Sequence, residues 1–329
     1  MGRDGMKALS IHLTDMCNNR CIFCVVDAPS QRGDSVRRDL IEHFLFENRE
    51  AGYEAVNLHG GEPTMRPDFL DILSRIQQLG YPTIFLQTNA RRLSNFEFAR
   101  QVVDRGVSLF IVSMHGKDAA VQDAISQSPK SFDQAVAGIR NVKKLGQKVR
   151  TNTVVCKQNL ESLPDIVSFV INLGADHVNI SAMHPAGMAY KNFAHVTPAY
   201  TEIKPYLFEA VDRAVAAGQV ITLEGFPYCT IPGYETYMID WSTQRYKMLF
   251  RTFIMDDYES YMDACARTKQ AKCSACAYSK VCGGVYKEYI QFIGWDEFHP
   301  VTPVHADGEE LTSNQVRRTG ADETHNPCG

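Results

Sequence analysis

Apolar and polar positions along the 329-residue chain alternate between two periods. Short β-branched runs give way to longer segments with apolar residues three and four apart, the mark of helices burying one face. ALSIHL (8–13) reads as a strand, followed by a helical pattern over 36–52 that closes on Gly52. EAVNLHG (54–60) precedes a helix over 69–80, and TIFLQTN (83–89) one over 95–106. VSLFIVSMH (107–115) precedes 131–146, KVRTNTVV (148–155) precedes 163–174, and HVNISAM (177–183) precedes a helical stretch from Pro198 to Gly218. Glycines closing these patterns suit helix C-caps. Six β-then-α units in succession predict an α/β fold with parallel strands and right-handed crossovers.

The alternation breaks near Glu224. From there to Pro300 aromatics and cysteines crowd together without a long amphipathic helix, which predicts a small irregular region stapled by ligands. Beyond Val301 the chain is polar and rich in breakers, as in a disordered tail. The expected organisation is therefore a core over 1–220, a cysteine-rich extension over 221–300 and a tail over 301–329.

Composition narrows the partners. With 44% hydrophobic and 22% charged residues and a formal charge of −4, the chain has no basic block and no nucleic-acid footprint. The pairs Arg37-Arg38 and Arg91-Arg92 are expected on solvated faces. No signal-peptide core or membrane-length apolar window is present, and Met6 breaks the myristoylation pattern. A cytoplasmic protein with no membrane partner is expected. In that reducing setting ten cysteines read as ligands or catalytic groups rather than disulfides. Cys156 follows an apolar run and reads as a core or strand-end residue, while Cys328 lies in the tail.

In a parallel βα barrel, chemistry gathers at the C-terminal ends of the strands. There the sequence places Cys17, Cys21 and Cys24, then HGGEP (59–63), QTNA (87–90), SMHG (113–116), RTNT (150–153) and SAMHPAG (181–187). Three thiolates can hold three irons of a cubane cluster and leave the fourth iron open to a small molecule. A structural zinc takes four ligands. Taken alone, the spacing also fits a zinc loop, or a redox C-x-x-C with a bystander thiol.

Cys17-x3-Cys21-x2-Cys24, with Phe23 before the last cysteine, resembles the signature of radical S-adenosylmethionine (SAM) enzymes. Gly60-Gly61-Glu62-Pro63 resembles their GGEP motif, and the likeness spans roughly residues 7–190. The resemblance implies a partial (βα)6 TIM-type barrel and a [4Fe–4S] cluster on Cys17, Cys21 and Cys24. It further implies SAM on the open iron, an electron donor such as flavodoxin or ferredoxin, and a 5′-deoxyadenosyl radical that takes hydrogen from a substrate. On this resemblance Phe23 flanks the adenine, and Gly60 and Gly61 approach the SAM amino group. Glu62 supplies a carboxylate near that cation. Thr88 and Asn89 serve ribose or carboxylate, with Ser113 in the equivalent place on strand four. Arg150 pairs with the methionine carboxylate, and Met183 covers the adenine. Phe23 equally suits a packed loop aromatic, and Thr88, Asn89, Ser113, Arg150 and Met183 ordinary structural roles. His59, His115 and His184 read as hydrogen-bonding loop residues.

Cys273-x2-Cys276-x5-Cys282 resembles part of the SPASM/twitch extensions that carry an auxiliary [4Fe–4S] cluster. Tyr286 stands where a full SPASM would place another cysteine, which implies one auxiliary cluster with Cys229 or Cys265 as fourth ligand. A zinc knuckle is the alternative there, and Cys229 could instead donate a hydrogen atom. The chain begins directly on strand one and ends Pro327-Cys328-Gly329. These ends are expected to disfavour a built-in leader-binding module and the glycine-glycine terminus of the molybdopterin-precursor cyclase. The expected function is radical SAM chemistry on a peptide or small molecule; the rival is a non-catalytic zinc-stapled binding protein.

Overall fold

The six expected strands form, each within two residues of its expected ends, in a computed structural model that describes residues 6–27, 35–240 and 244–301. They are β1 (Met6–His12), β2 (Ala55–His59), β3 (Thr83–Thr88), β4 (Val107–Ser113), β5 (Lys148–Val154) and β6 (His177–Ser181). Between them run α1 (Arg38–Glu50), α2 (Phe69–Gln78), α3 (Phe96–Asp104), α4 (Ala119–Ser126), α5 (Ser131–Lys144) and α6 (Leu163–Asn172). The short α7 (Met188–Lys191) and α8 (Phe193–Val196) and the long α9 (Tyr200–Ala216) follow β6. Helix ends behave as their residues dictate. Asn95 caps α3 by accepting from Phe98 N at 3.0 Å, and Gly106 beyond it takes the left-handed φ of +87° that stops the helix.

Three strands were not legible. β7 (Ile221–Glu224) extends the sheet beyond β6, and β8 (Gln244–Phe250) lies parallel to β1 on its other side. β9 (Phe253–Met255) turns back antiparallel on β8 and forms the edge. Only four residues make β7, and QRYKMLF lacks β-branched residues, so local propensity is silent for both. Pairing with β1 along its whole length makes β8 a strand. The expected boundary at 220 thus cuts through one sheet of order β7-β6-β5-β4-β3-β2-β1-β8-β9.

Strands β1 to β7 follow one another in space as in sequence, all parallel. Right-handed crossovers then put every connecting helix on the same face. Neighbouring helices accordingly touch in a single layer: α1 on α2, α2 on α3, α3 on α5, α6 on α9. Toward them point Leu9, Ile11, Leu58, Leu86, Phe110 and Ile180, none of which is exposed. Each such side chain contributes about 1.5–3 kcal/mol of burial. The alternate positions form the inner face, which is largely polar: Ser10, His12, Asn57, Ser113, Asn152, Asn179, Ser181 and Glu224. An inner face of this chemistry suits a ligand rather than packing.

The remaining elements are short: α10 (Tyr258–Tyr261), the two-stranded ladder β10 (Arg267–Thr268) with β11 (Val285–Tyr286), and α11 (Lys287–Ile293). Among the described residues no helix is long and apolar enough to cross a membrane. The expected tail, with Cys328, lies outside them from residue 302 onward.

Candidate functional site

The cysteine loop leaves β1 and is clamped against the end of β2. Gly61 N donates to Thr14 O and Glu62 N to Met16 O, both at 2.7 Å. A Cβ on Gly61 would stand 2.7 Å from Asp15 O and closer still to Met16 O. One on Gly60, at φ +149°, would collide with Thr14 O. The two glycines expected to admit SAM are therefore already required by the loop's own backbone.

Glu62, expected near a cationic ligand, is fully buried. Its Oε1 accepts from Thr64 Oγ1 at 2.6 Å and Thr88 Oγ1 at 2.8 Å, and its Oε2 from Asn89 N at 2.7 Å. Burial pushes its carboxyl above the ordinary range even against these donors. The residue ties β2 to β3, and the Thr88 hydroxyl is engaged internally, also accepting from Ala90 N at 3.0 Å. Asn89 turns to the loop: its Nδ2 lies 2.7 Å from Asn18 Oδ1 and 3.9 Å from Cys17 Sγ.

Arg91 departs from expectation, whereas Arg92 is exposed as expected. Arg91 Nη1 donates to Asn18 O and, at 2.9 Å, to Asn19 Oδ1, while its Nε reaches Gln134 of α5 at 2.6 Å. Arg92 donates to Thr64 O and lies 4.2 Å over the Phe98 ring. An irregular loop leaves carbonyls unpaired, and a guanidinium can serve several at once. Arg37 and Arg38 do pair with Asp39 and Glu42 at the surface.

On its other side the loop meets α4 and the β6 loop. Arg20 N donates to Ser126 O at 2.8 Å and Ile22 N to Ile125 O at 3.0 Å. Met188 N donates to Cys24 O at 2.8 Å, and a Cβ on Gly187 would stand 2.6 Å from that oxygen. Phe23 and Met183, both expected on the adenine, are buried together with Ile125, Cys156, Ala189 and Val196. Phe23 meets His115 edge-on at 5.0 Å. Burial lowers His115 to about 4 and His59 to about 3, so both are neutral near pH 7.

The thiols themselves are informative. Burial, the Glu62 charge and neighbouring thiols push Cys17 up to about 12, and burial pushes Cys21 higher still. Without a cation these thiols keep their protons. Asn19 N nevertheless points at Cys17 Sγ from 3.4 Å. Half-buried, crowded thiols with an amide aimed at sulfur fit a cationic iron–sulfur cluster.

The second cysteine group lines one cavity. Cys229, Cys273, Cys276 and Cys282 face it together with Trp295 and Phe298. Gly284 N lies 3.4 Å from Cys282 Sγ and Val301 N 3.4 Å from Cys276 Sγ, the same amide-to-sulfur arrangement. Burial pushes Cys229 up to about 11, with the Cys282 and Cys276 charges adding to it. Of the two expected fourth ligands, Cys229 faces this cavity, whereas Cys265 is disulfide-bonded and does not line it. Cys265 is thus an exception to the expectation of free thiols. Among the described residues, no three His, Cys, Asp or Glu side chains converge as a single metal ion requires.

The model of the radical SAM superfamily matches residues 11–170. Residues 11–170 thus carry a radical SAM domain. It is 28% identical over 191 residues to the "Probable GTP 3',8-cyclase" of Sulfurisphaera tokodaii, covering 58% of this chain and 60% of that protein. It is 30% identical over 200 residues to the protein of that name from Metallosphaera sedula, covering 57% and 59%. The chain therefore spans about 60% of the length of the curated relatives it matches. In fold it is similar to Streptococcus suis SuiB bound to S-adenosylmethionine, with a TM-score of 0.64 at 16% identity over 88% of this chain and 74% of that one. It is similar, too, to anSMEcpe with bound AdoMet and Kp18Cys peptide, with a TM-score of 0.54 at 14% identity over 66% and 63%.

Within this radical SAM fold the last two expected SAM contacts lie on the inner face. Ser113 ends β4 and sits level with Asn152 of β5. Arg150 lies two residues further from the strand end, where burial lowers its pKa. Instead of standing free for a ligand carboxylate, its Nη2 lies 3.9 Å from Glu224 Oε2. Glu224 escaped sequence reasoning because β7, which carries it, did.

Proposed function

We propose that this chain reductively cleaves SAM and uses the resulting radical to take hydrogen from a peptide or small-molecule substrate. The observation that carries the reading is the half-buried three-cysteine loop, locked onto Gly60-Gly61-Glu62 with an amide aimed at Cys17. When bound, a [4Fe–4S] cluster with SAM on its open iron supplies the 5′-deoxyadenosyl radical on one-electron reduction. Cys17, Cys21 and Cys24 would hold that cluster. Glu62 and Arg91 keep the loop rigid, and the polar inner face receives substrate. Ser113 remains the side chain for SAM's carboxylate, and Phe23 and Met183 form the apolar wall for its adenine.

An auxiliary [4Fe–4S] cluster is proposed on Cys229, Cys273, Cys276 and Cys282, supported by their shared cavity. The cysteine groups divide the labour, with residues 1–220 for SAM and 221–300 for the auxiliary site. A cytoplasmic protein taking electrons from a flavodoxin or ferredoxin fits this chemistry. Both substrate classes have support: SuiB has been solved with the precursor peptide SuiA, whereas the sequence relatives are named for GTP.

Anaerobic reconstitution with iron and sulfide tests the reading. About eight irons per chain are expected from two clusters, with 5′-deoxyadenosine formed only when reductant is present. Stoichiometric zinc without SAM cleavage would support the binding-protein alternative instead.

A further inference from the structure

One peptide group in the cysteine loop is held at both ends. Its N–H, that of Asn19, points at Cys17 Sγ from 3.4 Å. Its carbonyl, that of Asn18, accepts from Arg91 Nη1 and, at 3.3 Å, from Ser128 Oγ. The peptide is trans and therefore planar, with its N–H and C=O pointing opposite ways. Fixing the oxygen fixes the direction in which the amide proton points.

Arg91 is itself fixed. Its Nε donates to Gln134 Oε1 of α5 at 2.6 Å, its Nη2 to Pro129 O at 3.4 Å, and its Nη1 also to Asn19 Oδ1 at 2.9 Å. The planar guanidinium can serve all of these at once. Its main-chain N donates to Asn89 Oδ1 at 3.1 Å, which turns the Asn89 amide toward the loop. There Asn89 Nδ2 reaches Asn18 Oδ1 at 2.7 Å and stands 3.9 Å from Cys17 Sγ. Arg91 thus orders two amide groups that face Cys17, without touching the sulfur.

This geometry has an electronic consequence beyond bracing. A cation on a carbonyl oxygen polarises the whole peptide, because hydrogen bonds in a chain strengthen one another. The Asn19 N–H becomes a stronger donor to sulfur. Hydrogen bonds to the sulfurs are among the factors that set the potential of an iron–sulfur site. Reduction adds negative charge, and a donor aimed at charged sulfur favours the more negative state. Rigidity alone would govern how firmly iron is kept, whereas polarisation of this peptide governs how readily the site takes an electron.

Resting on the radical SAM reading, we propose that Arg91 is a positioning residue that raises the reduction potential of the first cluster through the Asn18–Asn19 peptide. Redox titration of the reconstituted full chain, followed by electron paramagnetic resonance, tests this apart from turnover. The first cluster's signal is the one lost when Cys17, Cys21 and Cys24 are all replaced by Ala. In Arg91→Gln the ratio of reduced to oxidised first cluster at a fixed potential should fall at least about tenfold, the weight of one hydrogen bond to a charged group. For one electron that is a drop of about 59 mV. Arg92→Gln removes the same charge one residue away, where it meets Thr64 O rather than the cysteine loop, and should leave the potential unchanged. Ser128→Ala removes the neutral donor to Asn18 O and should lower the ratio only about threefold. This variant carries the test should Arg91→Gln take up no iron. An unchanged potential in Arg91→Gln, an equal fall in Arg92→Gln, or an unchanged potential in Ser128→Ala would each overturn the inference. A chain that loads the first cluster yet fails these tests refutes this inference alone, and one whose three cysteines hold no cluster refutes the reading beneath it.

Discussion

Cys17, Cys21 and Cys24 share one loop, whereas the second cavity draws Cys229 from beyond β7 and its other three thiols from the turns between β10 and β11. The first loop is held on several sides by hydrogen bonds to the β2 end, the α4 terminus, the β6 loop and Arg91. The second rests on short turns and aromatic contacts such as Tyr228 stacked on Tyr278 at 4.7 Å. A local ligand set inherits its order from the sheet beside it. A distributed one must close long chain segments, so its bound metal carries more of the ordering.

Removing ligands is the strongest way to break this comparison. Replacing Cys17, Cys21 and Cys24 together by Ala should abolish 5′-deoxyadenosine formation while leaving about half the iron. Cleavage that persists would refute the first assignment. Cys229→Ala should remove the other half and make the region beyond β7 protease-sensitive, because binding energy there is folding energy. Cys265→Ala should leave the iron content unchanged; iron loss in this variant instead would transfer the fourth-ligand role.

Backbone changes sharpen the contrast at a lower level. Gly61→Ala, pressed against Asp15 O and Met16 O, should cost about 2–4 kcal/mol in urea unfolding. Gly233→Ala, at φ +87° with open space around it, should cost only about 1 kcal/mol, from strain alone. Equal effects would mean that the first loop is not clamped as described.

The remaining expected effect is on pH. The folded chain holds His115 and His184 near 4, below the ordinary 6.5, because burial disfavours the imidazolium. Below pH 6.5 the unfolded chain binds more protons, so apoprotein stability should be full above that value and decline as pH falls toward 4. His115→Gln should weaken the decline, as read from urea midpoints across that range.

Strands β1 to β6 were legible because their β-branched runs and the helices between them have strong, opposite periods. β7 and β8 were not, since one is four residues long and the other becomes a strand only against β1. The three-cysteine loop was legible for its spacing, but not the work of its neighbours. Gly60, Gly61 and Glu62 brace the loop, and Arg91, expected in solvent, caps it. No local pattern marks Glu224, whose hydrogen bonds come from Asn179 and Ser181 on another strand.

Sequence alone determined the α/β class, the three-cysteine spacing and the approximate site of the second cysteine group, because periodicity and spacing are written in adjacent residues. Tertiary structure decided which face of the sheet is polar, that Cys229 rather than Cys265 meets the cavity, and that Arg91 meets the cysteine loop. Those outcomes depend on strands and loops distant in sequence becoming neighbours, and that proximity comes from packing and strand pairing rather than from local order.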